Sequence, residues 1–338
     1  MMDPWGANPF VGFCVFIFGT IIGSFLNVCI VRLPHEKSVV FPGSQCVHCH
    51  QPIAGYDNIP LLSFIFLGGR CRHCHKKISR RYFVVELITG LTFLGFYSYF
   101  GFQLILLPYL VFVSGLIVAT FVDIEHRIIP DEVSIGGMWA GIIFSILISQ
   151  LHNPGQEGRF WGASIAVVLF LVCLGLRLIY PFFCRHLMPE ESGNDRPVQI
   201  FVLLSLILIG VINSNLFRLP DHLLKHAIAL SASLSGSLVG GGVVYVMGLF
   251  GDIVFKKESM GGGDVKLMAM IGTFLGWESA LLTFFIAVFL GLIPGIIVKI
   301  RTQDSAFPFG PSLALGAVIS LFWSDSIIHW ILTGYGLY

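Results

Sequence analysis

Residues 104–122, LILLPYLVFVSGLIVATFV, run nineteen positions without a charged side chain and then meet Asp123. A helix of about 20 apolar residues crosses a hydrocarbon core roughly 30 Å thick, and inside that core every backbone N–H and C=O must be paired within the segment itself. Comparable runs recur at 11–31, 82–100, 133–150, 160–184, 198–216, 227–255, 281–298 and 313–332. The chain is 55% hydrophobic and only 12% charged, against roughly 25% charged in soluble domains. None of the runs alternates with the period of two that a membrane β-barrel requires. The expected fold class is therefore an all-α polytopic membrane protein of about 8–10 transmembrane helices. With a net charge of +1, nothing in the sequence points to nucleic acid as a partner, and membrane lipid is the expected surroundings.

The basic residues inform by position. Eight Lys and Arg fall between Arg32 and Arg81 inclusive. The positive-inside rule assigns that segment to the cytoplasm and the N-terminal side of the first span to the exterior. The first run has no basic residue before it and no small-residue cleavage site after it, so it reads as a retained span. Counting crossings puts Asp123 and Asp264 on the same, cytoplasmic face, together with the polar loop 185–196. One conflict of parity remains, because Lys266 and the pair Lys299 and Arg301 all ask to be inside with one full-length run between them. The short stretch 267–277 must resolve it, either as a thin glycine-interrupted crossing or as a segment that dips in and returns.

The expected organisation is a first span (1–31), a cytoplasmic domain (32–81), spans leading to and beyond Asp123 (82–151), an inserted pair of spans (152–226) and the spans that carry Asp264 (227–338). About 50 residues is small for an autonomous core, and such modules need a staple. The staple is legible as CVHC (Cys46, Cys49) and CRHC (Cys71, Cys74), two C-x-x-C knuckles whose four thiolates suit tetrahedral structural zinc in a zinc-ribbon-like domain. A reducing cytosol disfavours disulfides there. His48, His50, His73 and His75 read as solvated neighbours of the thiols. Cys14, Cys29, Cys173 and Cys184 read as small buried hydrophobes. No internal repeat stands out.

Most acids sit in loops. Glu86 lies one turn inside a span, where an ionisable group is a functional candidate, with Arg80 or Arg81 as the ordinary partner. Asp123 ends a span, and Asp264 follows Gly261, Gly262 and Gly263, whose freedom to take φ > 0 permits close approach. Two acids that converge in a partly dry site do not both ionise easily, which is the arrangement aspartic peptide hydrolysis uses: the charged member takes a proton from water and the neutral one donates to the scissile carbonyl. The alternative is two unrelated interfacial carboxylates. The small-residue run 231–242, SASLSGSLVGGG, fits close helix packing better than phosphate binding.

Several motifs together, GSFLNVCIVRLP (23–34), the two knuckles, ISRRYFVVELITG (78–90), DIEHRIIPD (123–131), GGGDVKL (261–267) and FPFGPSLALGA (307–317), resemble the type IV prepilin peptidases, bifunctional leader peptidase/N-methyltransferases of the G-x-G-D aspartic class. The resemblance implies that Asp123 and Asp264 are the catalytic pair. It implies a prepilin or pseudopilin substrate in the bacterial inner membrane, cut after a glycine, and S-adenosylmethionine-dependent methylation of the new N-terminal residue, an activity tied in this family to the knuckle domain. Residues 152–226 depart from the family pattern by two extra spans, and Phe83 stands where many relatives carry proline. Asp131 reads as the N-terminal cap of the next helix. Two rivals remain: a peptidase without methyl transfer, and a zinc-stapled transporter or scaffold, the latter weakened because the break at 261–263 has no counterpart in the first half.

Overall fold

The computed structural model describes residues 8–152, 156–183, 196–214, 220–256, 260–302 and 307–334. Cys184 and the loop residues 185–195, with the acids Glu190, Glu191 and Asp195, lie outside these. Among the described residues the chain is helical, with no strand beyond two isolated β-bridges. Six helices are long and apolar enough to cross a membrane. Shorter apolar stretches are Trp161–Leu174 within α6 (Gln156–Phe183) and Val198–Asn213 within α7 (Arg196–Asn213), and α5 (Asp131–Leu147) has 17 residues. The chain divides into two compact units, Met1–Pro130 and Asp131–Tyr338.

In the first unit, α1 (Pro9–Arg32) leads into the knuckle module, which holds the short α2 (Leu62–Phe66); α3 (Arg80–Phe100) and α4 (Leu106–His126) follow. Helices α1 and α3 are antiparallel and touch backbone to backbone. A Cβ at Gly19 would stand 2.9 Å from Gly90 Cα, and one at Gly23 would stand 2.8 Å from Glu86 Cα. Small residues at helical spacing are the lipid-phase means of bringing two helices this close, because packing replaces the hydrophobic drive that lipid removes.

The second unit is organised by α8 (Asp221–Phe255) and α9 (Gly262–Thr302), with α10 (Gly310–Gly334) completing it. Gly276 breaks α9 with φ 80° and ψ 176°, a conformation essentially confined to glycine. The neighbours of α8 reveal what the break does. Gly236 meets Gly272 and Gly276, whereas Gly240, one turn on, meets Met268 and Ala280. Along α8 the first contact steps back by four residues and the second steps forward by four. Residues 262–275 therefore run antiparallel to α8, and the remainder of α9 runs parallel to it. The stretch is a helical arm about 20 Å long at 1.5 Å per residue, followed by a tight reversal and a longer return, which puts Lys266 and the second end of α9 on the same side. Both ends of α9 lie at the end of the unit where α8 finishes.

The last carbonyls of a helix have no intrahelical partner. Here Thr273 O accepts from Ser233 Oγ at 3.0 Å and from His152 Nε2 at 2.8 Å. Burial holds the His152 imidazole down to about 4, against the raising effect of its bond to Thr273. The ring is neutral near pH 7, and since a carbonyl only accepts, the proton sits on Nε2. The 231–242 run is the face that packs on the first arm of α9, as its composition suggested: Gly241 lies 3.1 Å from the Ala269 Cβ by the same added-methyl measure.

Candidate active site and metal centre

The two knuckles are copies of one turn, offset by 25 residues, so the chain does contain a short repeat. Cys46 N donates to Gln51 O and His50 N to Cys46 O; Cys71 N donates to Lys76 O and His75 N to Cys71 O. His50 and His75 both take left-handed backbone, φ 57° and 53°, to close their turns. The histidine side chains point to solvent, as expected, and the four thiols converge instead. All four sulfurs lie within 4.8 Å of one another. Cys46 Sγ is 3.8 Å from Cys74 Sγ, and Cys49 Sγ is 4.0 Å from Cys71 Sγ. A tetrahedron with metal–sulfur bonds of about 2.3 Å has edges near 3.8 Å, whereas a disulfide needs about 2.05 Å. The donor set fits a tetrahedral divalent metal such as zinc.

Electrostatics agree with the geometry. Burial pushes the Cys46 thiol up, but the N–H groups of Cys49 and His48 and the neighbouring thiols outweigh it and bring it down to about 7. Cys49 rises to about 11: the Gln51 N–H lowers it, but burial and the three other sulfurs prevail. A cation at the centre removes that mutual repulsion. Around the cluster, Arg72 forks onto Asp57 with Nε–Oδ2 2.7 Å and Nη2–Oδ1 2.5 Å. Arg32 at the end of α1 holds the following loop through the carbonyls of Ser38 and Pro42, at 2.9 and 2.7 Å. Of the other cysteines, Cys29 is buried as expected, Cys173 is half-buried, and Cys14 is exposed on the outer face of α1.

Asp123 is in the last turn of α4 and is 6% exposed, which separates it from the solvated loop acids. Two residues on, Glu125 pairs with Arg81, and the ring of His126 meets that of His35 edge-on at 5.5 Å. Arg81 is thus taken, and Glu86 finds a different partner from the one the sequence offered. Its Oε2 accepts the Leu61 N–H at 2.8 Å.

Asp264 is half-buried in the first turn of α9. The three glycines before it do not use positive φ; Gly262 and Gly263 are already helical, and the value of Gly261 is space. The Asp264 carboxylate folds back over it, with Oδ2 3.6 Å from where a Cβ would stand. Asp131 opens α5 as an acid in its first turn and pairs with Lys266 at 2.7 Å. That pair is well exposed and contributes about 0–1 kcal/mol, so it aligns the starts of α5 and α9 more than it stabilises them. Asp123 belongs to the first unit and Asp264 to the second.

A family model described as the type IV leader peptidase family matches residues 110–186 and 195–296, more than half of the chain and both acids. The chain belongs to that family. A second model, the bacterial peptidase A24 N-terminal domain, matches residues 17–100, which hold α1, the knuckles and most of α3. The leader peptidase match is interrupted only over 187–194, between the two helices that the sequence reading treated as inserted. Among curated proteins, the chain is 31% identical over 87% of its length to a prepilin leader peptidase/N-methyltransferase of Myxococcus xanthus, spanning 65% of that protein. It is 29% identical to one of Legionella pneumophila, over 97% of this chain and 95% of the relative. An Aeromonas hydrophila protein of the same name is 26% identical over 95% and 93%. No solved structure matches.

Proposed function

We propose that this chain is an intramembrane aspartic endopeptidase that removes the leader of prepilins or pseudopilins after a glycine, at the cytoplasmic face of the bacterial inner membrane, and then N-methylates the exposed residue. The observation that carries the reading is the leader peptidase match, which runs through the segments of both Asp123 and Asp264. We assign these two as the catalytic pair.

Their positions on their helices support a division of labour. A helix N-terminus carries about half a positive charge and a C-terminus about half a negative one. Asp264, in the first turn of α9, stands where the field favours a carboxylate; Asp123, in the last turn of α4, stands where it opposes one. In the proposed cycle Asp264 takes a proton from the attacking water while Asp123 donates to the scissile carbonyl oxygen, and the roles reverse as the amine leaves. A substrate with a basic leader and an apolar helix presents its scissile bond where headgroups meet hydrocarbon, the level natural to acids at helix ends.

Zinc is the proposed metal of the four thiols, in a closed structural role without an open coordination position. We expect about one metal per chain. Chelation, or Cys46→Ser, should release it and leave residues 32–81 open to protease, since structural zinc contributes about 10 kcal/mol or more of apparent folding free energy in small modules. Metal analysis beside limited proteolysis reads both effects, and a metal-free module that resists protease would refute the staple.

Methyl transfer requires S-adenosylmethionine as donor. The whole reading is tested with purified protein, a prepilin and the donor: mass measurement should find the leader lost and one methyl gained at the new N-terminus. A product cut but never methylated removes the transferase half, and an uncut substrate removes the peptidase half.

A further inference from the structure

The motifs GSFLNV and VELITG lie outside the leader peptidase match, and in the structure they face each other across α1 and α3. Two polar side chains are sealed in that contact. Asn27 is 1% exposed; its Nδ2 donates to Tyr82 O at 3.0 Å and to Gly23 O at 3.3 Å, which fixes the orientation of the amide. Its Oδ1 is then left as a buried acceptor with no donor among the described residues. Glu86 is 7% exposed and lies one turn further along α3 from Tyr82. Side chains on a helix lean toward its N-terminus, so on these antiparallel helices Glu86 leans toward the level of Asn27, and Asn27 toward the level of Glu86.

A buried acceptor left unpaired, as Asn27 Oδ1 is, costs about 1–3 kcal/mol, and one set beside a buried carboxylate needs a reason. Glu86 is supplied by two donors, the Ser24 hydroxyl from α1 and a backbone N–H from outside the helices. The backbone donor is Leu61, which holds positive φ, 62°, a strained state for a branched side chain. The module thus reaches over the contact by one hydrogen bond at a strained residue, which a better donor can displace.

We propose that Glu86 and Asn27 form the subsite for the methyl acceptor, the free α-ammonium of a peptide that begins with an apolar residue. The inference rests on the methyl-transfer half of the reading above. The ammonium replaces the Leu61 N–H on Glu86 and supplies the donor that Asn27 Oδ1 lacks. Glu86 takes one proton from it. The freed nitrogen lone pair attacks the methyl carbon of the sulfonium donor, the C–S bond breaks, and sulfur keeps the electron pair as a neutral thioether. The product is a secondary ammonium, with the transferred proton on Glu86.

The test uses the full-length protein, the sulfonium donor and a synthetic peptide that already begins with the mature phenylalanine, so that cleavage plays no part. Glu86→Gln keeps an acceptor for Leu61 but holds no proton; it should lose methyl transfer by about 100-fold or more while cutting prepilin at the parent rate, and Glu86→Asp should recover part of the loss. Methylation by Glu86→Gln within threefold of the parent would overturn the assignment, and so would equal loss of both reactions with unchanged melting. A parent chain that cannot methylate the peptide would instead sink the methyl-transfer reading itself. An arm without variants guards against misfolding: carbodiimide coupling of the peptide amine to the parent protein should join it to Glu86, and joins confined to other carboxylates would overturn the proposal.

Discussion

Asp123→Asn and Asp264→Asn, made separately, should each lower prepilin cleavage by at least about 1000-fold, leaving the metal content and the melting temperature of the protein unchanged. Asparagine keeps the size and hydrogen bonding of the acid but neither takes a proton from water nor donates one to the carbonyl. The double variant should be no slower than either single one, because residues that act as a unit do not contribute additively. Methyl transfer to a peptide with a mature N-terminus should survive in all three. A single variant that cleaves within tenfold of the parent would refute the pair.

The second large effect concerns stability. Valine at Gly236 or Gly272 should cost about 3 kcal/mol or more, at the upper end of what overpacking does, because the added carbon meets backbone that cannot rotate away. A Cβ at Gly272 would overlap the Gly236 carbonyl, and one at Gly236 would overlap the Gly272 carbonyl. Gly210→Ala makes the contrast, since nothing lies within 4 Å of that position. There the better helix propensity of alanine should leave stability unchanged or raise it by about 0.5–1 kcal/mol. Thermal melting in detergent separates the two classes; equal melting of Gly272→Val and Gly210→Ala would mean that α8 and α9 do not approach as described.

Much of this was legible in the sequence because lipid imposes strong rules. Apolar runs had to be helices, and two C-x-x-C pairs in a segment too small for its own core had to meet. The small-residue run at 231–242 announced a close helix contact, and α9 supplied its partner. What escaped was anything decided by a distant residue. Gly276 reads like Gly272 or Gly291, yet only Gly276 reverses the chain, and the side chains that accept the reversal, His152 and Ser233, come from elsewhere in the fold. The glycines before Asp264 invited a conformational explanation, whereas the structure uses the room that a missing Cβ leaves. The twin knuckles share the pattern C-x-H-C-H-x-x-I at a spacing of 25 residues, and their matched hydrogen bonds show that both copies fold as the same turn. Asn27 gave no warning, because a lone amide within an apolar run looks like helix packing until its carbonyl is found without a donor among the described residues. For Glu86 the sequence offers Arg80 or Arg81 as partner, and of these Arg81 pairs instead with Glu125 on another helix.

The bend at Gly276 also fixes which compartment each part of α9 can be reached from. A polypeptide that goes in and comes home presents both its ends to one aqueous phase, and a first arm that spans the lipid presents its elbow to the other. Cysteines introduced near positions 262 and 296 would therefore react with a membrane-impermeant maleimide added to the same side of sealed vesicles, while one beside the elbow would need the reagent on the opposite side.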